Sequence, residues 1–382
     1  MGLFRFLLAM WVACVHGGSP FGAPMNHAYA SVQCFFIISG YYMALILNEK
    51  YTGEGATKTF YTNRFLRLFP AYWVTLLITI AFCWAAAHWA HVNVGAWKQF
   101  TTQSAQLSTA AKVGLAAANV TVIGQVELLY LHVDASTQHL AWTHTFLGSS
   151  PELWRFLFVP QAWSLELEVL FYLLAPFLVR QSLAVIGSCI AATFALRAGL
   201  IFGAGFDMDP WTYRFFPTEM GLFLLGSFAY RLARVPAAQR FLHSRANGLL
   251  TAVALALTLV LPFLKSIPPA LNWGYYFLVA AAIPWLFEKS KSRKRDRWIG
   301  ELSYPIYIVH FLAIWMAQLL LAKVSLGFIS REWISAGLTI VFAIVLLRYV
   351  IEPVEGLRRR RAAALTHRTE ATVETPATVP ET

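Results

Sequence analysis

Residues 5–16 read RFLLAMWVACVH, an apolar run with an arginine at one end and a histidine at the other. An ion and an imidazole inside such a run are costly in a bilayer and point to function. At about 100° per residue, the eleven steps from Arg5 to His16 come to about three turns plus 20°, so the two side chains share one face of a helix. Their axial separation is about 16 Å, roughly half the hydrocarbon thickness. An arginine near one surface and a histidine deeper on the same face suit a site that holds an anion at the surface and does chemistry within the bilayer.

The rest of the chain extends this reading. Hydrophobic residues make up 58% and charged residues 13% of the 382, against about 25% charged in globular proteins. Apolar segments recur at 3–18, 31–48, 69–88, 163–180, 183–203, 215–231, 247–264, 271–287, 301–322 and 332–351. The expected fold is an all-α polytopic membrane protein with ten spanning helices. A weaker segment, 111–131, carries Asn119, Gln125 and Glu127 and is read as interfacial or re-entrant.

Basic residues cluster in alternate connections: 49–68, 231–246, 288–298 and 357–368. The positive-inside rule places these, and both termini, in the cytoplasm. The net charge of +11 therefore reports orientation, and no nucleic-acid partner is inferred. The stretch 89–162 becomes a long extracytoplasmic connection. Residues 1–356 form one membrane domain, and 357–382 a tail that is basic and then disordered. The N-terminal run imitates a secretory signal but is taken as a first span, and Gly2 lacks the pattern for myristoylation. Cys14, Cys34, Cys83 and Cys189 each lie alone in apolar sequence and are read as packing residues. Asn119-Val120-Thr121 fits the glycosylation pattern, a weak signal.

Arg64 and Arg67 stand three residues apart just before a span, with Pro70 at its start. They serve either as an orientation signal or as a clamp for a phosphorylated cofactor, since guanidinium forks match phosphate oxygens. Glu166 and Glu168 lie in apolar surroundings and point to different sides of a helix, so one site takes only one of them. A carboxylate here could instead pair with Arg197, which sits within a span. Trp163 suits an interfacial anchor or a sugar platform. His310 lies mid-span near Tyr304 and Tyr307, where packing and substrate contact are both open readings. The remaining histidines show no ligand spacing, and no metal is assigned. No nucleophile elbow, P-loop, HExxH or Rossmann glycine pattern occurs.

Taken in order, these pieces resemble the membrane acyltransferase-3 family, the bacterial O-acetyltransferases of surface polysaccharides and other envelope acceptors. The resemblance rests on Arg5-x10-His16, on SVQCFFIISGYYM at 31–43 and on FYTNRFLRLFPAYW at 60–73. It continues through QAWSLELEVLFYLLAP at 161–176, IGELSYPIYIVHF at 299–311 and RYVIEPVEGLRRR at 348–360. The Trp-Ser-Leu-x-x-Glu pattern selects Glu168 over Glu166 and brings in Ser164. Gln33 stands where the family often has an acid.

The resemblance implies acyl transfer, most simply of acetyl, from cytoplasmic acetyl-CoA to a hydroxyl of an envelope glycan or glycolipid, at a bacterial inner membrane. Arg5, Arg64 and Arg67 would bind the CoA phosphates. His16 would be general base or nucleophile, with base favoured, and Glu168 would orient His16 or the acceptor. Trp163, Ser164, Arg197 and His310 would line the acceptor site. No fused extracytoplasmic domain is expected, so acceptor choice would lie in spans, loops or a partner. The oligomeric state stays open. A transporter or flippase of a lipid-linked sugar, using the same polar residues as a path, is the main alternative. A structural or sensor protein is the third.

Overall fold

The computed structural model describes residues 1–323 and 330–374, with side chains to 322 and from 330 to 363. Its helices, in chain order, begin with α1 (Gly2–Gly17), α2 (Tyr29–Glu49), α3 (Ala56–Trp89), α4 (Gly95–Gln103) and α5 (Thr109–Thr121). Next come α6 (Trp163–Leu178), α7 (Leu183–Ala198), α8 (Phe216–Leu232), α9 (Pro236–Leu242) and α10 (Arg245–Val260). The last are α11 (Pro269–Ser290), α12 (Lys294–Glu301), α13 (Ser303–Lys323), α14 (Arg331–Leu346) and α15 (Glu352–Glu374). A helix stands at each of the ten expected segments.

Seven helical runs among the described residues are long and apolar enough to cross a membrane: Tyr29–Glu49, Ala56–Trp89, Leu183–Gly203, Arg245–Phe263, Pro269–Ser290, Lys294–Ala322 and Arg331–Ala363. The other three, α1, α6 and α8, have 16, 16 and 17 residues. Large apolar side chains such as Leu77, Phe177, Leu249 and Val341 are exposed on the outer faces, as lipid contact requires. The protein is an all-α multi-pass membrane protein with one small exception. Leu131–Val133 pairs antiparallel with Leu140–Trp142 in the long connection.

The bundle is organised around α2. Of its apolar window 72% is buried, against 22% for the run that contains α7. It packs most closely on α8. A Cβ added to Gly40 of α2 would run into the Phe223 carbonyl of α8, and one added to Gly226 would meet the Ile37 carbonyl. Small residues let the two backbones touch, and Ser227 Oγ then donates to the Gly40 carbonyl at 2.9 Å.

Three details differ from expectation. Pro70 lies inside α3 rather than at its start. The basic stretch before the span continues the same helix, and its 34 residues reach about 51 Å at 1.5 Å per residue. The connection 89–162 folds further than the single interfacial or re-entrant element expected at 111–131. It holds α4, α5 and a separate small core of residues such as Leu107, Leu115, Leu153 and Phe156. With 13 residues, α5 falls short of the ~20 that a span needs. Asn119, the weak glycosylation match, is buried, donating to the carbonyls of Leu115 and Phe156 and accepting from the Phe158 amide. A glycan has no access there.

Glu166 faces this connection, where its oxygens accept from the amides of Gly124 and Val126, both at 2.7 Å. It secures a turn and leaves Glu168 to face the bundle interior. Beyond the last span, α15 carries helix through the basic run to Glu374. Residues 375–382 of that tail lie outside the described residues.

Candidate active site

Two large cavities lie in the bundle among the described residues. The near cavity, about 490 Å³, lies at the end that holds the start of α1. The far cavity, about 550 Å³, lies toward the end of α1.

The near cavity is strongly cationic. Asp296 fixes the start of α1 by accepting from the amides of Gly2 at 2.7 Å and Leu3 at 3.0 Å, a favourable place for an acid. Arg5, one turn on, lies 6.0 Å over the Tyr42 ring. From α3, Arg67 pairs with Glu301 at 2.9 Å. Arg64 instead lies over the rings of Phe60 and Tyr172 at 5.9 and 5.7 Å, and its buried Nε has no partner. Among the described residues, neither Arg5 nor Arg64 has a carboxylate within ion-pair distance. Arg358 from α15 joins this wall, donating to the Asn63 carbonyl at 2.9 Å and pairing with Glu355. Glu168 accepts from Ser39 Oγ at 2.9 Å and from the Tyr172 hydroxyl.

The far cavity holds His16, in the last turn of α1 and exposed to it. Its Nδ1 lies 2.9 Å from the Val12 carbonyl. A carbonyl only accepts, so Nδ1 carries the hydrogen and the neutral ring presents a bare lone pair at Nε2. His310 packs beside it, ring centroids 5.2 Å apart. It repeats the arrangement, with Nδ1 2.7 Å from the Tyr307 carbonyl and a fully buried Nε2 without a partner.

Across the same cavity, Arg214 lies 4.6 Å over the Trp163 ring while Tyr213 meets its edge at 4.8 Å. Arg214 also donates to Asp209 at 3.0 Å. Burial pushes the Asp209 carboxyl above its ordinary pKa, and Arg214 pulls it down. Arg197 forms part of the wall but is spoken for. It pairs with Glu219 at 2.7 Å and donates to the carbonyls of Thr212 and Thr218 at 3.0 Å. Gln33 joins this network by donating to Glu219 at 2.9 Å and accepting from the Tyr276 hydroxyl. The acid beside position 33 thus comes from α8.

The structure therefore groups Arg5, Arg64, Arg67, Ser164 and Glu168 around the near cavity, and His16, Trp163 and Arg197 around the far one. His16 and Glu168 line different cavities, and the group beside His16 is His310. Arg214, Tyr307 and Arg358 were not singled out from sequence. Arg214 sits in a connection with few charges, Arg358 in a basic run that reads as an orientation signal, and Tyr307 in an apolar span.

The chain matches no curated protein and no solved structure. A family model described as an acyltransferase domain matches residues 1–348. That match takes in nine of the ten expected segments and most of the tenth, the whole far cavity and the near cavity apart from Glu355 and Arg358, and the chain belongs to the acyltransferase-3 family, as a membrane acyltransferase.

Proposed function

We propose that this enzyme transfers an acetyl group from cytoplasmic acetyl-CoA to a hydroxyl of an envelope glycan or glycolipid at the bacterial inner membrane. One observation carries the reading. A cavity with unpaired arginines and a cavity with an available imidazole lie back to back within one bundle.

In this scheme both termini and the near cavity face the cytoplasm. Arg5 and Arg64 take the CoA phosphates directly, because among the described residues neither is held in an ion pair. Arg67 and Arg358 add positive potential. Glu168, held by Ser39 and Tyr172, orients the donor side. The acceptor enters the far cavity, where Trp163 and Tyr213 offer aromatic surface and Arg197 keeps the wall in place. His310 supports the His16 ring.

Nε2 of His16 removes the proton from the acceptor hydroxyl as its oxygen attacks the thioester carbonyl. The new C–O bond forms, the C–S bond breaks, and the departing thiolate recovers the proton from the imidazolium. The products are the ester and CoA thiol, and atoms and charge balance.

Purified protein with labelled acetyl-CoA and an envelope glycan fraction should give labelled ester. His16→Ala should lower transfer by about 10²–10⁴-fold, the usual contribution of a positioned base, with CoA binding near that of the parent. Transfer within a few-fold of the parent would remove His16 from the scheme.

A further inference from the structure

Among the described residues, Val32 and Tyr307 alone line both cavities. They stand where an acyl group bound on one side must meet a base on the other. Both are buried, at 3% and 7% exposure. Val32 comes from the central helix α2, and its β-branched side chain is stiff at χ1.

Tyr307, from α13, is latched. Its hydroxyl donates to the Gln161 carbonyl at 2.9 Å and accepts from Ser164 Oγ at 2.7 Å. Gln161 Nε2 returns a bond to the Ile308 carbonyl at 2.6 Å. The start of α6 and the second turn of α13 are thereby stitched together. A stiff valine and a latched tyrosine, each lining both cavities, give the boundary between them fixed dimensions.

We propose that the Val32–Tyr307 wall gauges the acyl group, admitting acetyl and rejecting longer chains. The inference rests on the thioester route proposed above and adds to it the feature that selects the acyl length. The donor's anionic end is held in the near cavity, and the base is in the far one. The reacting carbonyl must come within about 3–3.5 Å of its attacking oxygen, so it must reach the wall. Each further methylene then has to displace Val32 or the Tyr307 ring. Neither yields without disturbing α2 or the Ser164–Gln161 latch.

The test measures kcat/KM of the full-length protein in detergent with acetyl-, propionyl-, butyryl- and hexanoyl-CoA. CoA affinity is measured alongside. The parent should lose about tenfold or more per added methylene, within the range of hydrophobic discrimination. Val32→Ala should raise the butyryl-to-acetyl ratio by about tenfold or more with CoA affinity unchanged. Tyr307→Phe, which keeps the ring and removes the latch, should raise it less. Val32→Leu should lower turnover with all four donors. A ratio within twofold of the parent in both Val32→Ala and Tyr307→Phe overturns the gauge while the thioester route stands. Absence of transfer from all four donors by the parent overturns that route and the gauge with it.

Discussion

Arg64 and Arg67 leave α3 one turn apart and meet different electrical surroundings. Arg67 is neutralised by Glu301, whereas Arg64 lies on aromatic rings with no acid beside it. Arg64→Ala should weaken CoA binding by about 10–100-fold, the worth of a hydrogen bond to a charged group. Arg67→Ala should cost at least as much for a second reason, since it leaves Glu301 uncompensated near incoming phosphates. Adding Glu301→Gln should restore part of the affinity lost in Arg67→Ala and none of that lost in Arg64→Ala. Titration of CoA onto the four variants checks this, and equal rescue in both backgrounds would refute it. Sequence spacing placed Arg5 and His16 on one face because a single helix carries both. It could not pair Arg67 with Glu301 or His16 with His310, because those contacts depend on which helices become neighbours.

Among elements, the α2–α8 contact is one that side-chain substitution disturbs directly. A Cβ at Gly226 collides with backbone of α2, which has no rotamer to change, while one at Gly248 of α10 meets nothing within 4 Å. Gly226→Val should therefore destabilise the protein by about 1–3 kcal/mol or more, as overpacking does, and lower its yield as a single species in detergent. Gly248→Ala should be neutral or gain about 0.4–1 kcal/mol from a less flexible unfolded chain. Thermal unfolding of the two variants separates these outcomes, and equal unfolding temperatures would show that the helices can part. The apolar segments were legible because a bilayer imposes length and hydrophobicity on whatever crosses it, and a helix stands at each, seven of the helical runs long enough to span. The folded connection between α3 and α6 was not. Its small core draws on residues such as Leu107 and Phe156, far apart in sequence and without a helical or alternating pattern. The division of labour between Glu166 and Glu168 was half legible: their spacing required opposite faces, but only the fold revealed the turn at Gly124–Val126 that takes Glu166.

For the molecule as a whole, the alternating basic connections set an orientation open to direct measurement. A reporter fused after Lys294 should read cytoplasmic and one near Ser149 extracytoplasmic. A cytoplasmic reading at Ser149 would require the segment with α5 to cross and would break the count of ten. With that orientation, the two back-to-back cavities have a consequence for the membrane itself. Elsewhere a voltage falls over about 30 Å of hydrocarbon. Here a cavity lies on either side of Val32 and Tyr307, and where water fills both, the drop concentrates in the layer between them. A unit charge carried through that layer gains or loses about 2.3 kcal/mol per 100 mV. On the proposed route, the proton exchanged between hydroxyl, imidazole and sulfur would move beside that layer. Turnover by that route in sealed proteoliposomes should therefore shift with an imposed membrane voltage, and equal rates at zero and about 100 mV would show that no charge crosses that layer.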